Sequence, residues 1–220
     1  HANPQGYRIQ QYFPYLEERG FEVELITTQT AFLNLLDRVR LADVIYIQRI
    51  LFNPLKLTIL RKFAKKIVYD FDDAVMYGAK GESLARERKF KNIVRNADAV
   101  FCGNNFLVDE AKQYRNNYVY FVPTVVDTNE YFVTMHGDRS PLIIGWIGSS
   151  STLKYLEGLW GLMVSLADQG KINFKIVADR PPDMRASGIL FEKWRKEKES
   201  ILLNGFDIGI MPLKDDIWSK

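Results

Sequence analysis

Short apolar runs alternate along this chain with longer stretches that place an apolar residue every third or fourth position. The short runs read as buried strands and the longer stretches as amphipathic helices. Tyr7 to Arg19 has the helical period and stops at Gly20, and Phe21 to Ile26 follows as a strand. The alternation continues: helix over Ala31 to Arg38, strand over Asp43 to Gln48, helix over Leu55 to Lys66, strand over Ile67 to Asp70, and a charged helix over Glu82 to Asn96. Ala97 to Cys102 is the next strand, Asn104 or Asn105 caps a helix through Tyr114, and a strand covers Tyr118 to Pro123. Alternation of this kind predicts a parallel sheet covered on both faces.

A second unit begins at Leu142. Its pattern predicts a strand over 142–147, a helix over 152–168, a strand over Asn173 to Ala178, a helix over Phe191 to Leu202 and a strand over Phe206 to Met211. The expected domains are 1–128, a spacer over 129–141, and 142–220. A doubly wound unit ordinarily opens on a strand, and this chain opens on a helix. The second unit stops at Asp215 to Lys220 after only three strands. Both observations suggest an excerpt of a longer protein.

With 47% hydrophobic residues in 220, the chain has ample material for packed cores. Thirty Lys and Arg against 27 Asp and Glu leave a formal charge of only +3, which gives no reason to expect a nucleic-acid partner. The single cysteine, Cys102, ends a predicted strand as a buried thiol, and a reducing, cytoplasmic setting fits best. No apolar run approaches the roughly 20 residues that cross a bilayer. Two basic runs, Lys56, Arg61, Lys62, Lys65 and Lys66, then Arg86, Arg88, Lys89, Lys91 and Arg95, could meet an anionic membrane surface peripherally. A solvated helix face explains them equally well.

The candidate chemistry sits where strands end. Gly148-Ser149-Ser150-Ser151-Thr152 follows the strand 142–147 and opens a helix, an arrangement that aims backbone N–H groups at an anion. Lys154 and Arg180 are the cations that could assist; a plain turn joining strand to helix, with Arg180 solvated, is the alternative. Asp70, Asp72 and Asp73 gather at the end of another strand, the edge where open α/β sheets place ligands. Asp72 and Asp73 could bind hydroxyls, act as a base or hold a metal; capping, or pairing with Arg86 or Lys80, is the alternative. His1 and His136 read as surface residues.

In order and spacing, several phrases resemble the GT-B glycosyltransferases, specifically the retaining family 4, or group 1. These are Arg8 to Gly20 with Phe21-Glu22-Val23, Ala97-Asp98-Ala99-Val100, the hinge phrase Val122 to Thr128, and Phe206 to Leu213. The resemblance implies two Rossmann-like doubly wound units in an α/β fold, incomplete at both ends. It also implies a hexosyltransferase-type enzyme that moves a sugar from a nucleotide-diphosphate donor to a carbohydrate or lipid-linked acceptor. The nucleotide sugar is then a substrate, and no cofactor or metal is implied.

By the same resemblance, the glutamates of the donor pocket would lie beyond Lys220, so the excerpt alone is expected to be inactive. Where the family commonly has Arg and Lys around the glycine loop, this chain has Trp146 and Ser151. A non-catalytic anion-binding or interaction module is the alternative. An NAD-dependent enzyme is disfavoured because no Gly-x-Gly-x-x-Gly follows any strand.

Overall fold

In the computed structural model, residues 4–27, 29–78 and 81–213 are described. His1, Lys80 and the closing stretch 215–220, all singled out above, lie outside them. The chain forms two compact units, Gln5–Val125 and a second from Val126 onward. Each is a Rossmann-like α/β unit built on a four-stranded parallel sheet.

The first sheet takes its strands in chain order: β1 (Ile45–Gln48), β2 (Ile67–Phe71), β3 (Ala99–Cys102) and β4 (Val119–Phe121). Three helices form the crossovers: α4 (Pro54–Phe63), α5 (Leu84–Asn96) and α6 (Asn105–Lys112). Right-handed crossovers between strands added in one direction place these helices on one face. On that face Tyr69 and Phe71 stack with ring centroids 5.4 Å apart, and Phe90 of α5 meets Phe71 edge-on at 5.1 Å. Asn53 caps α4 by accepting from the Lys56 N–H, and Asn104 caps α6 by accepting from the Leu107 N–H. α3 (Phe32–Leu41) packs beside α4.

Two predicted elements of this unit take another form. The helix over Tyr7 to Arg19 is broken into α1 (Pro4–Arg8), a 3-10 turn at Gln10–Tyr12 and α2 (Phe13–Glu17). Pro14 has no N–H to return to the preceding turn, so the helix restarts with proline in its first turn. Phe21 to Ile26 has strand alternation, but among the described residues no strand pairs with it; it runs as coil with Phe21 and Leu25 exposed. Alternation makes a strand only where a ladder partner is within reach.

In the second unit β5 (Leu142–Ile147), β6 (Ile172–Ala178), β7 (Ile189–Lys193) and β8 (Ile208–Gly209) are ordered β7-β6-β5-β8. The chain steps outward from β5 to β7, then returns past β5 to β8. That reversal makes the carboxyl end of β5 a topological switch point, where such sheets form a ligand crevice. The predicted helix over 152–168 is split into a 3-10 turn at Ser150–Thr152, α7 (Lys154–Glu157) and α8 (Trp160–Asp168), with the break at Gly158-Leu159. The stretch predicted as helix from Phe191 begins instead as edge strand β7, and only Glu199–Asn204 is helical, as α9. Hydrogen bonding to β6 outweighs the helical spacing of Phe191, Trp194 and Lys198.

Candidate functional site

At the carboxyl edge of the first sheet each carboxylate of the Asp70 to Asp73 run faces an arginine. Asp70, fully buried, pairs through both oxygens with the buried guanidinium of Arg8. Arg8 also donates to the Val122 carbonyl and, at 3.4 Å, to the Thr124 hydroxyl, so it ties the first helix to β2 and to the segment after β4. Burial pushes the Asp70 carboxyl above the usual carboxylate range, while the bonds from Arg8 and the Tyr46 hydroxyl work against that rise. The Arg8–Asp70 pair is an internal fixture of the fold.

Asp72 and Asp73 share Arg49. Arg49 bonds to an oxygen of Asp73, and its Nε lies 3.7 Å from Asp72 Oδ1, an atom that is buried and has no hydrogen-bond partner. Arg49 has φ of 61°, in the left-handed region, and its N–H donates to the Asp70 carbonyl at 2.8 Å. Gly103, just after β3, lies against Asp72: a Cβ there would come within 2.9 Å of both Asp72 Cα and Cβ. Only glycine lets the two loops approach this closely. Arg86, considered above as a partner for these carboxylates, donates to the Val75 carbonyl.

On the second unit the loop Gly148 to Thr152 follows β5 at the switch point, and the turn Asp179-Arg180 follows neighbouring β6. The Ser150 N–H donates to Asp179 Oδ1 at 2.6 Å and the Ser150 hydroxyl donates to Oδ2 at 2.9 Å. These bonds hold the Asp179 carboxyl below its ordinary range. The loop therefore does grip an anion, and that anion is the chain's own aspartate. Its other hydroxyls bond within the loop: the Ser149 and Ser151 hydroxyls are 2.7 Å apart, and the Thr152 hydroxyl donates to the Ser149 carbonyl. Gly148 admits the ring of buried Trp146, which a Cβ would meet at 2.5 Å. Lys154 is exposed and lies over the Tyr155 ring at 5.4 Å; Arg180 is exposed beside Asp179.

No family model and no curated protein matches the chain. Among solved structures, it is similar to TarM, with a TM-score of 0.57 and 10% identity over 81% of this chain and 38% of TarM. The fold is GT-B-like. The chain thus spans well under half the length of that structure. It is also similar to the glycosylation-associated Gap123 complex of Streptococcus agalactiae, at 16% identity over 82% of this chain and 41% of that one, but a TM-score of 0.43 adds nothing to the assignment.

On these GT-B-like units the residues singled out from sequence fall into two groups, Asp72 with Asp73 on the first and Gly148 to Thr152 with Arg180 on the second. His136 belongs to neither. Its Nδ1 is 3.3 Å from Asp207 Oδ1, and Asp207 also accepts the Ile143 N–H, at the amino edge of the second sheet. Cys102 is buried, and burial pushes its thiol up to about 12. Arg8, Arg49 and Asp179 were not among the expected site residues. Arg49 had a readable signal: it follows β1 as Asp72 and Asp73 follow β2, so parallel pairing of those strands brings all three to one edge.

Proposed function

We propose that the chain supplies the acceptor-side and donor-side units of a retaining, family-4-type hexosyltransferase. Its reaction would move a sugar from a nucleotide-diphosphate donor to a carbohydrate or lipid-linked acceptor. The observation that carries this reading is a pair of GT-B-like parallel sheets, each with its candidate polar groups gathered at the carboxyl edge. Asp72 and Asp73, held by Arg49, are assigned to the acceptor hydroxyl: Asp72 Oδ1 is a buried acceptor with no hydrogen bond of its own. On the donor side the Ser150 N–H and hydroxyl would take a diphosphate oxygen in place of Asp179. Gly148, Ser149, Ser151 and Thr152 line that position, and Lys154 and Arg180 supply positive charge against the leaving diphosphate.

Titration calorimetry with UDP- and GDP-sugars tests the donor half. Asp179→Asn removes the competing negative charge, so it is expected to bind a nucleotide-diphosphate sugar several-fold more tightly than the parent chain. Absence of binding by both forms of a full-length version to every donor would sink the transferase reading. A specific observation favours a second one: Ser150 is already satisfied by Asp179, so the same loop also suits a non-catalytic module. Under that reading Asp179→Asn gains no affinity for nucleotide sugars.

A further inference from the structure

The outer strands of a sheet leave backbone N–H and C=O groups without a partner, and folded proteins ordinarily guard such edges with charge, proline or shortness. β1 is bounded by Asp43 and Arg49, β7 carries Glu192 and Lys193, and β8 is two residues long. β4 has no such guard. The stretch Asn116 to Val126 around it holds no charged residue, in a chain of which 26% is charged, and its proline, Pro123, lies past the strand. Its aromatic side chains are open: Tyr118 is 61% exposed, Tyr120 47% and Phe121 53%.

The ladder to β3 fixes which groups of β4 face outward. The Val100 N–H donates to the Tyr118 carbonyl and the Val122 N–H donates to the Cys102 carbonyl, so residues 118, 120 and 122 bond inward. Val119 and Phe121 therefore turn their N–H and C=O groups away from the sheet, and among the described residues no hydrogen bond reaches them. This pattern is its own complement. A second β4 laid antiparallel about an axis at Tyr120 sets Val119 against Phe121 of the copy, and Phe121 against Val119 of the copy. Each of those pairs exchanges hydrogen bonds in both directions, and the two Tyr120 residues face each other between them. Every cross-strand pair is then apolar or aromatic. Tyr120 meets Phe101 edge-on at 5.9 Å and Phe101 meets Tyr46 at 6.3 Å, so on this face the aromatic row of one copy would run into that of the other.

On the opposite face α6 lies over β3 and β4. Tyr114, just after α6, bonds to Glu87 of α5, so the other flank of α6, with Asn105, Asp109 and Lys112, is the one beside the β4 edge. Asp109 and Lys112 are exposed and of opposite sign, which lets this flank meet its own copy without net repulsion. The three aromatics of β4 leave about 300 Å² open per copy, about half of the ~600 Å² per partner at the lower limit of stable interfaces, and the α6 flank adds to it. An interface of that size makes a weak, reversible dimer.

We propose that the β4 edge is a self-association surface, through which two copies of the chain pair antiparallel about Tyr120 into one continuous sheet. The proposal stands apart from glycosyl transfer, since it needs neither donor nor acceptor. Sedimentation equilibrium of a full-length version tests it, and a dimer with a dissociation constant on the order of 10 µM is expected. Phe121→Pro removes an outward N–H and no bond to β3, while Phe121→Lys puts two like charges on one face across the axis. Each should weaken the dimer at least about tenfold. Tyr120→Cys sets two thiols opposite one another at the axis, within reach of a disulfide. Mild oxidation should therefore cross-link it at least about tenfold faster than Leu33→Cys, an exposed position on α3; the native Cys102 is buried. Circular dichroism should show the parent fold in each variant. A monomer at about 100 µM, a dimer that both Phe121 variants leave unchanged, or no faster cross-linking at residue 120 would overturn the proposal.

Discussion

The amino edges of the two sheets are built alike and their carboxyl edges are not. Before β3, Asp98 accepts the Ile67 N–H at the start of neighbouring β2; before β8, Asp207 accepts the Ile143 N–H near the start of β5. Both carboxylates also face basic side chains, Arg61 and Lys66 in one case and Arg139, with the His136 ring, in the other. At the carboxyl edges, the first unit matches its aspartates with arginines, whereas the second matches Asp179 with a backbone N–H and a hydroxyl. The shared device joins parallel strands at their origin, which any such sheet needs. The edges that differ are those where open α/β sheets ordinarily place ligands.

The largest effect should come from Asp70→Ala. It leaves the Arg8 guanidinium buried without a counter-charge, and the expected loss is about 3–5 kcal/mol in urea unfolding of the first unit. Arg8→Met combined with Asp70→Leu should recover most of it, because a buried pair replaced by apolar volume leaves no orphan charge. A loss under about 1 kcal/mol from Asp70→Ala would break the contrast between the two carboxyl edges.

Gly103→Ala comes next. The new Cβ meets backbone as well as side chain of Asp72, so the loops must part, at a cost of about 1–3 kcal/mol readable as a lower Tm. Smaller, and informative through pH, is Asp98→Asn. Burial works to raise the Asp98 carboxyl, but the Ile67 N–H, Lys66 and Arg61 outweigh it and hold it below the ordinary range. A depressed carboxyl contributes stability above its unfolded pKa, about 4, and loses it as pH falls through the folded value. Parent and Asp98→Asn melting curves should therefore differ most near neutrality and converge in acid. Least of all, Asp179→Asn should leave Tm unchanged, since Asp179 is exposed. A clear drop there would give the second carboxyl edge a structural role like that of the first.

Strands buried on both sides were plain in the sequence: Leu142 to Ile147 is a continuous apolar run, and its bounds agree with β5. Phe21 to Ile26 and Phe191 to Leu202 were misread for one reason. Whether an alternating or periodic segment pairs depends on what lies beside it, and β6 lies beside Ile189–Lys193 while no strand among the described residues pairs with Phe21 to Ile26. The candidate sites were half legible. Asp72, Asp73 and the glycine–serine loop announce themselves by position after strands, but their partners Arg49 and Asp179 come from neighbouring strands that only the pairing order identifies. Arg8 had no signal at all, being one arginine in a helix far from β2.

That distance has a consequence for how the chain assembles. Arg8 lies 62 positions from Asp70 and 114 from Val122, yet its guanidinium holds both. Closing spans of that size costs chain entropy that only an already formed sheet repays. During synthesis Arg8 is made before any strand it serves, and its two anchor points emerge far apart in time. Until β4 is in register, Asp70 lacks the full cradle that seats its counter-ion. Docking of this helix is therefore expected to follow completion of the sheet, and amide protection of residues 7–17 should be the last to appear during refolding of the first unit.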